Sequence, residues 1–255
     1  MSFPAPFDLT GRVALVTGGS KGLGLAMARG LARAGADIVI SSRHESELKS
    51  ALDKILAGTG RKGHHVVADM TRREDVARLA ADAQRRMGKV DILINNAGSN
   101  TPQVTESITD TAWDTVIELN LNSVMALTRA VIPGMKERRW GRIVHISSIM
   151  AFHSKEGRSA YSATKAALVG MARAEALELG SFGVTVNCLA PGPFLTDLPR
   201  SVLSPAEQEI FAKRTAIGRW GNPDELAGPV FLLASDAGSY ITGQTLIVDG
   251  GFMCR

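Results

Sequence analysis

Cysteine is almost missing from this chain: 255 residues contain two, Cys188 and Cys254. Two cysteines in no metal-binding spacing argue against a disulfide framework and a structural metal, and they fit a reducing compartment. Cys188 falls within the apolar run Val184 to Ala190 and reads as a buried strand thiol. No apolar run approaches the ~18 residues of a membrane span, and the N-terminus lacks a signal-peptide core. A cytoplasmic protein with no membrane partner is the expectation. An excess of one charge is lacking too. The net charge of +4 is scattered, which suits an anionic small molecule but supplies no basic stripe for nucleic acid. Repeats, low-complexity tracts and linkers are absent, so residues 1–255 read as one domain. A hydrophobic content of 45% against 21% charged residues is enough for a full core.

What is present is a regular alternation. Short apolar, β-branched runs are Val13–Val16, Ile38–Ser41, His65–Ala68, Ile92–Asn95, Ile143–Ile146, Thr185–Leu189 and Leu246–Val248. Between them lie Ala/Leu-rich helical stretches, among them Leu25–Ala34, Glu45–Ala57, Glu74–Met87, Thr111–Arg138 and Tyr161–Leu179. Such alternation predicts an α/β fold of right-handed crossovers: one Rossmann-type, doubly wound parallel sheet of about seven strands with helices on both faces. Ligands of such sheets bind beyond the carboxyl ends of the strands.

Two motifs fall at those ends. The first strand runs into Thr17-Gly18-Gly19-Ser20-Lys21-Gly22-Leu23-Gly24, after which a helical pattern begins. A turn without Cβ atoms lets backbone N–H groups approach a pyrophosphate at a helix N-terminus. Its spacing, G-x3-G-x-G, differs from the general dinucleotide fingerprint G-x-G-x-x-G. Further along, Ser148 precedes Tyr161, and Lys165 follows four residues later on the same helix face. An ammonium beside a phenol favours the phenolate, so Lys165 is expected to lower the pKa of Tyr161 from its usual ~10. A phenol so tuned exchanges a proton with an alcohol oxygen near neutral pH.

Together these residues resemble the short-chain dehydrogenase/reductase family over nearly the whole chain. The cofactor turn is matched by Gly18, Gly22 and Gly24 with Ser20, Lys21 and Leu23 between them. Asn95-Asn96-Ala97-Gly98 matches the motif after the fourth strand. Asn120, Ser148, Tyr161 and Lys165 match the catalytic tetrad, and Pro191-Gly192 with Thr196 match the segment after the sixth strand. The resemblance implies hydride transfer between a nicotinamide and a ketone or secondary alcohol. Tyr161 would act as acid or base, Ser148 would hold the substrate oxygen, and Lys165 would bond the nicotinamide ribose. It also implies that Asn120 holds a water linking the lysine to solvent, that Asp69-Met70 meets the adenine, and that Thr196 meets the carboxamide.

The second strand ends in Ser41-Ser42-Arg43, where an NAD enzyme usually carries an acid. Ser42 takes the acid's place, and Arg43 can meet a 2′-phosphate. In the family a basic residue at Lys21 goes with NADP, so NADP(H) is expected over NAD(H).

His145 reads as a packed core histidine, and no metal site is expected. The small residues Ala163, Ala166, Ala167, Gly170 and Ala174 lie on the helix that joins subunits in the family, which implies a homotetramer. The segment 194–217 is expected to form a short helical lid, with Phe194, Leu195, Leu198 and Phe211 closing over the substrate. For the substrate, the resemblance is divided. Gly218-Arg219-Trp220-Gly221-Asn222-Pro223 looks more like gluconate 5-dehydrogenases, and polar Ser99-Asn100 could bond hydroxyls. Carrier-protein reductases are matched by Arg139 but not at Phe182, where they carry a second basic residue. A general carbonyl reductase is a further alternative within the family, and a non-catalytic nucleotide-binding protein is the alternative of another class. Enoyl reductases space their Tyr and Lys more widely, and epimerases differ in glycine spacing.

Overall fold

A computed structural model describes residues 4–196 and 203–254. Its seven strands are β1 (Val13–Thr17), β2 (Asp37–Ser42), β3 (Gly63–Val67), β4 (Ile92–Asn95), β5 (Gly141–Ile146), β6 (Val184–Pro191) and β7 (Thr245–Val248). The helices that position the site are α1 (Gly22–Arg33), α2 (Glu45–Leu56), α3 (Arg73–Met87), α4 (Asp110–Ile117), α5 (Ser123–Glu137), α6 (Ser159–Leu179), α7 (Pro205–Arg214) and α8 (Ala227–Ala234). The strands form one parallel sheet in the order β3-β2-β1-β4-β5-β6-β7. The order reverses between β1 and β4, and a crevice opens at that switch point.

Alternation along each strand divides the apolar side chains between two cores. Ala14 and Val16 join Met27 and Leu31 of α1, Leu48 and Ile55 of α2 and Val230 of α8 on one face. Val13 and Leu15 join Val76 and Leu79 of α3, Leu127 of α5 and Leu168 of α6 on the other. Every residue of β1, β4, β5 and β6 is buried, as a sheet covered on both faces requires. Among the described residues, no helix is long and apolar enough to cross a membrane.

One expected helix is not continuous. The stretch read as Thr111–Arg138 begins at α4, where Thr109 caps the helix by accepting from the Ala112 N–H at 3.2 Å. It then widens into a π-helical turn over Glu118–Asn122 before α5. Asn120 sits in that turn. Its side-chain bonds to neighbouring elements take precedence over regular helix, which π turns commonly do at functional sites. The chain also tolerates Pro133 inside α5.

Candidate active site

The carboxyl ends of the strands enclose a cleft of about 620 Å³, within the range of cofactor sites. It is lined by Gly18, Ser20, Lys21, Gly22, Leu23 and Gly24 of the first turn and by Ser42 and Arg43 after β2. Asp69 and Met70 after β3, Asn96, Ala97 and Gly98 after β4, and Ser148 after β5 also line it. Tyr161 and Lys165 of α6 and Pro191, Gly192 and Thr196 at the end of β6 complete the set. Of the expected site residues, only Asn120 does not reach this surface.

The switch point is knitted by one threonine. Thr17 Oγ1 accepts from the N–H groups of Asn96 (3.0 Å) and Ala97 (2.9 Å), while Asn96 Nδ2 donates to the carbonyls of Thr17 (2.8 Å) and Gly18 (3.2 Å). That close approach fixes the glycines. A Cβ at Gly24 would stand 2.2 Å from the Gly18 carbonyl oxygen. Gly22 has φ +57°, which L side chains rarely adopt, and a Cβ there would meet Thr196 Cγ2 at 3.6 Å. No side chain caps α1, and its first turn carries no acid, so its free N–H groups point into the cleft. A bare turn, an uncapped helix N-terminus and the cations Lys21 and Arg43 fit the pyrophosphate and 2′-phosphate of NADP(H). Lys21 is not free, however. Its Nζ lies 3.7 Å from Glu47 Oε1, and Ser20 Oγ donates to Glu47 Oε2 at 3.2 Å. Sequence reading missed Glu47, which lines the same end of the cleft from the first turn of α2. Asp69 Oδ1 accepts from both the N–H (2.9 Å) and hydroxyl (2.8 Å) of Thr71, a turn-forming role beside its place in the lining.

β2 and β5 are three strand spacings apart, about 14 Å at ~4.8 Å each, so the reacting groups stand well away from Arg43. Ser148 Oγ accepts from the Met150 N–H (3.1 Å) and hydrogen-bonds the Tyr161 phenol. Lys165 is fully buried. Its Nζ donates to the Ile146 carbonyl at 2.7 Å, and the lysine's own carbonyl accepts from Ser147 Oγ at 2.8 Å. The lysine is thereby anchored to β5 at both its backbone and its tip. Burial pushes its pKa down from 10.5 to about 8.

The expected depression of Tyr161 is not what this environment gives. Burial raises its pKa above 10, and the Ser148 hydrogen bond and the Arg158 charge only partly offset that rise. The Lys165 ammonium is 5.5 Å from the ring centroid and is spent on the Ile146 carbonyl. Desolvation therefore outweighs it.

Asn120 is fully buried. Its Oδ1 accepts from the Ser99 N–H (3.0 Å), and its Nδ2 donates to the Ser99 carbonyl (2.9 Å) and Thr164 Oγ1 (3.1 Å). It ties the loop after β4 to α6. A Cβ at Gly98 would sit 3.2 Å from Asn120 Oδ1 and 3.4 Å from Lys165 Nζ, so the loop backbone passes close against both.

His145 is a core residue, held between Asn95 Nδ2 (3.1 Å) and Glu175 Oε2 (2.8 Å). Cys188 is buried, its thiol pushed up to about 12 chiefly by desolvation. In the lid segment, α7 forms behind a Ser204–Glu207 capping box. Phe194, however, is buried in the core and pairs with Gly221, so it is not free to close over a substrate. Leu198 lies outside the described residues. Phe211 packs on Trp220 with ring centroids 5.4 Å apart.

Comparison with known proteins agrees with this geometry. A family model described as "Enoyl-(Acyl carrier protein) reductase" matches residues 18–253. The gluconate 5-dehydrogenase of Gluconobacter oxydans is 39% identical over 98% of both chains. A 3-oxoacyl-[acyl-carrier-protein] reductase of Pseudomonas aeruginosa is also 39% identical, over 96% of this chain and 98% of its own. Among solved structures, a gluconate 5-dehydrogenase from Burkholderia cenocepacia in complex with NADP and tartrate superposes with a TM-score of 0.91. It is 36% identical over 98% of each chain. With such relatives along its whole length, the chain belongs to the short-chain dehydrogenase/reductase family, enzymes that act on CH–OH groups.

Proposed function

We propose that this protein interconverts a ketone and a secondary alcohol with NADP(H), on a small sugar acid or polyol. The observation that carries the reading is one cleft with Lys21 and Arg43 at its β1/β2 end and Ser148, Tyr161 and Lys165 at its β5/α6 end. Bound NADP(H) supplies or accepts the hydride. The protein's share is positional and protonic. Ser148 and Tyr161 share a hydrogen bond and would together hold the substrate oxygen, with the Tyr161 proton passing to it in reduction. Lys165 would meet the nicotinamide ribose from its anchored position. Asn120 is a positioning residue, fixing Ser99 and α6 relative to one another.

The sugar-acid side is favoured over the carrier-protein side by residues of this chain. Phe182 stands where carrier-protein reductases place a basic residue, and it is covered by Lys136, whose Nζ lies 4.1 Å from the ring centroid. Asn100 follows the cleft-lining Ser99, and both polar atoms of its amide are shielded from water without a partner. An orphaned amide beside a cleft suits a hydroxylated ligand better than an alkyl chain. Enoyl reduction is the weaker reading, because Tyr161 and Lys165 stand a single turn apart on α6. A homotetramer belongs to the same proposal, since Ala163, Ala166, Gly170 and Ala174 leave an exposed face of α6 open to another helix. The test is NADPH oxidation with 5-ketogluconate, neutral ketoses and a 3-oxoacyl thioester. Faster turnover of the thioester than of any sugar-derived ketone overturns the substrate reading.

Cofactor choice gives a paired prediction. Arg43→Asp replaces attraction by repulsion at the 2′-phosphate, and the ratio of kcat/KM for NADPH over NADH falls about 100-fold, the worth of a charge-assisted bond. Glu47→Gln frees Ser20 and Lys21 from an anion and moves the same ratio upward. A wild-type enzyme that already prefers NADH contradicts both.

A further inference from the structure

Three cations gather where the loop after β5 meets α7 and the C-terminal turn, outside the catalytic group. Lys155 Nζ stands 5.7 Å from the Phe211 ring centroid, and the Arg214 guanidinium stands 4.5 Å from that of Phe252. Phe252 in turn meets the His153 ring edge-on at 6.1 Å, so α7 and the C-terminal turn close on the same loop. Arg158 occupies the N-cap position of α6, three residues before Tyr161, with its carbonyl accepting from the Ser162 N–H at 2.7 Å. Its charge is felt by the Tyr161 phenol, and Lys155 is in turn depressed, first by burial and then by the charges of Arg158 and Arg214.

Among the described residues, these cations are not paired with acids. Lys213 and Arg219, close by in sequence, pair with Glu209 (2.7 Å) and Glu225 (2.7 Å). Among the described residues, no carboxylate lies within 4 Å of Lys155, Arg158 or Arg214. Like charges that repel one another beside a partly desolvated phenol are costly unless an anion arrives to balance them. The aromatic faces of Phe211 and Phe252 hold two of them in place without neutralising them.

We infer that Arg158, with Lys155 and Arg214, forms an oxyanion subsite that holds a carboxylate of the substrate while its ketone or alcohol faces Tyr161. The inference rests on the oxidoreductase reading above and narrows it to hydroxy and keto acids. A planar guanidinium one turn before the phenol can hold a carboxylate through two parallel bonds, fixing the distance from acid group to reacting carbon.

The experiment has a binding arm and a kinetic arm. In the binding arm, the enzyme is saturated with NADPH, and its melting temperature is followed as D-gluconate or its neutral counterpart sorbitol is added. Gluconate stabilises the wild type well below the concentration at which sorbitol does. Arg158→Gln weakens the gluconate midpoint by about 10- to 100-fold, the range for a hydrogen bond to a charged group. Arg158→Lys recovers part of it, and Lys155→Gln with Arg214→Gln gives a smaller loss. In the kinetic arm, the specificity constant for 5-ketogluconate is divided by that for a neutral ketose, and this ratio falls at least ~10-fold in Arg158→Gln. Equal stabilisation by gluconate and sorbitol in the wild type, or an unchanged ratio in Arg158→Gln, overturns the subsite. If no ketone is turned over at all, the oxidoreductase reading fails, and the binding arm still decides the subsite.

Discussion

Tyr161→Phe lowers kcat by at least ~100-fold and leaves NADPH affinity within a factor of a few of wild type. The substitution removes one oxygen from a half-buried ring, keeps the packing of α6 and takes away the transferable proton of the phenol beside Ser148. Burial keeps that proton on the phenol through neutral pH, because the pKa lies above 10 in this environment. The enzyme thus rests in the form that ketone reduction consumes. Alcohol oxidation needs the phenolate, and its rate is expected to climb with pH across the range where reduction is level. Single-turnover rates with NADPH and ketone, alongside a fluorescence titration of NADPH, separate the lost chemistry from lost binding. Turnover within a few-fold of wild type would falsify the assignment of Tyr161.

Most of the scaffold was legible because parallel strands buried on both faces must be short and apolar. All seven strand candidates overlap the observed strands, with ends shifted by at most two residues. The glycine turn was legible for a similar reason: Gly22 and Gly24 answer to backbone geometry, φ +57° at one and a Cβ position 2.2 Å from a carbonyl oxygen at the other, that strongly favours glycine. What escaped depends on contacts between distant segments. Nothing local distinguishes Glu47 from any acid in the first turn of a helix, where the dipole alone would favour it. Only the fold sets it against Ser20 and Lys21. Arg158, Lys155 and Arg214 belong to no motif in the sequence, and only the fold brings the loop after β5, α7 and the C-terminal turn together. The pKa of Tyr161 was misjudged because i, i+4 spacing reports that Lys165 is near. It does not report that the ammonium points at the Ile146 carbonyl. The break in the helix around Asn120 carried only a hint, a poor helix former in mid-pattern, and its cause is a partner 21 residues away at Ser99.

Lys165→Met is expected to reduce kcat/KM by about 100- to 1,000-fold, the cost of removing one preorganised donor from a site. It also carries a signature in stability that a solvated lysine would lack. Lys165 is fully buried, and its pKa falls from 10.5 to about 8 on folding. Below the folded value both states hold the proton, and the native state bears the full cost of burying the charge. Between the two values the native chain has released its proton while the unfolded chain has not, so stability rises with pH through that window. At about 1.4 kcal/mol per unit, the rise attributable to this residue is of order 3 kcal/mol. Cys188 and Tyr161 act in the opposite sense at high pH. Both have raised values, so the unfolded chain loses their protons first and stability falls. The informative quantity is therefore the difference between wild type and Lys165→Met in urea unfolding, measured at intervals from neutral to alkaline pH. That difference should grow in favour of the wild type as pH passes through the window above about 8. The Met variant also leaves the Ile146 carbonyl without its 2.7 Å donor, a penalty that does not vary with pH and so shifts the curve without bending it. A flat difference curve would mean that the lysine is charged and solvated in the native protein. Its anchoring to β5 would then not explain how Lys165 is held beside Tyr161.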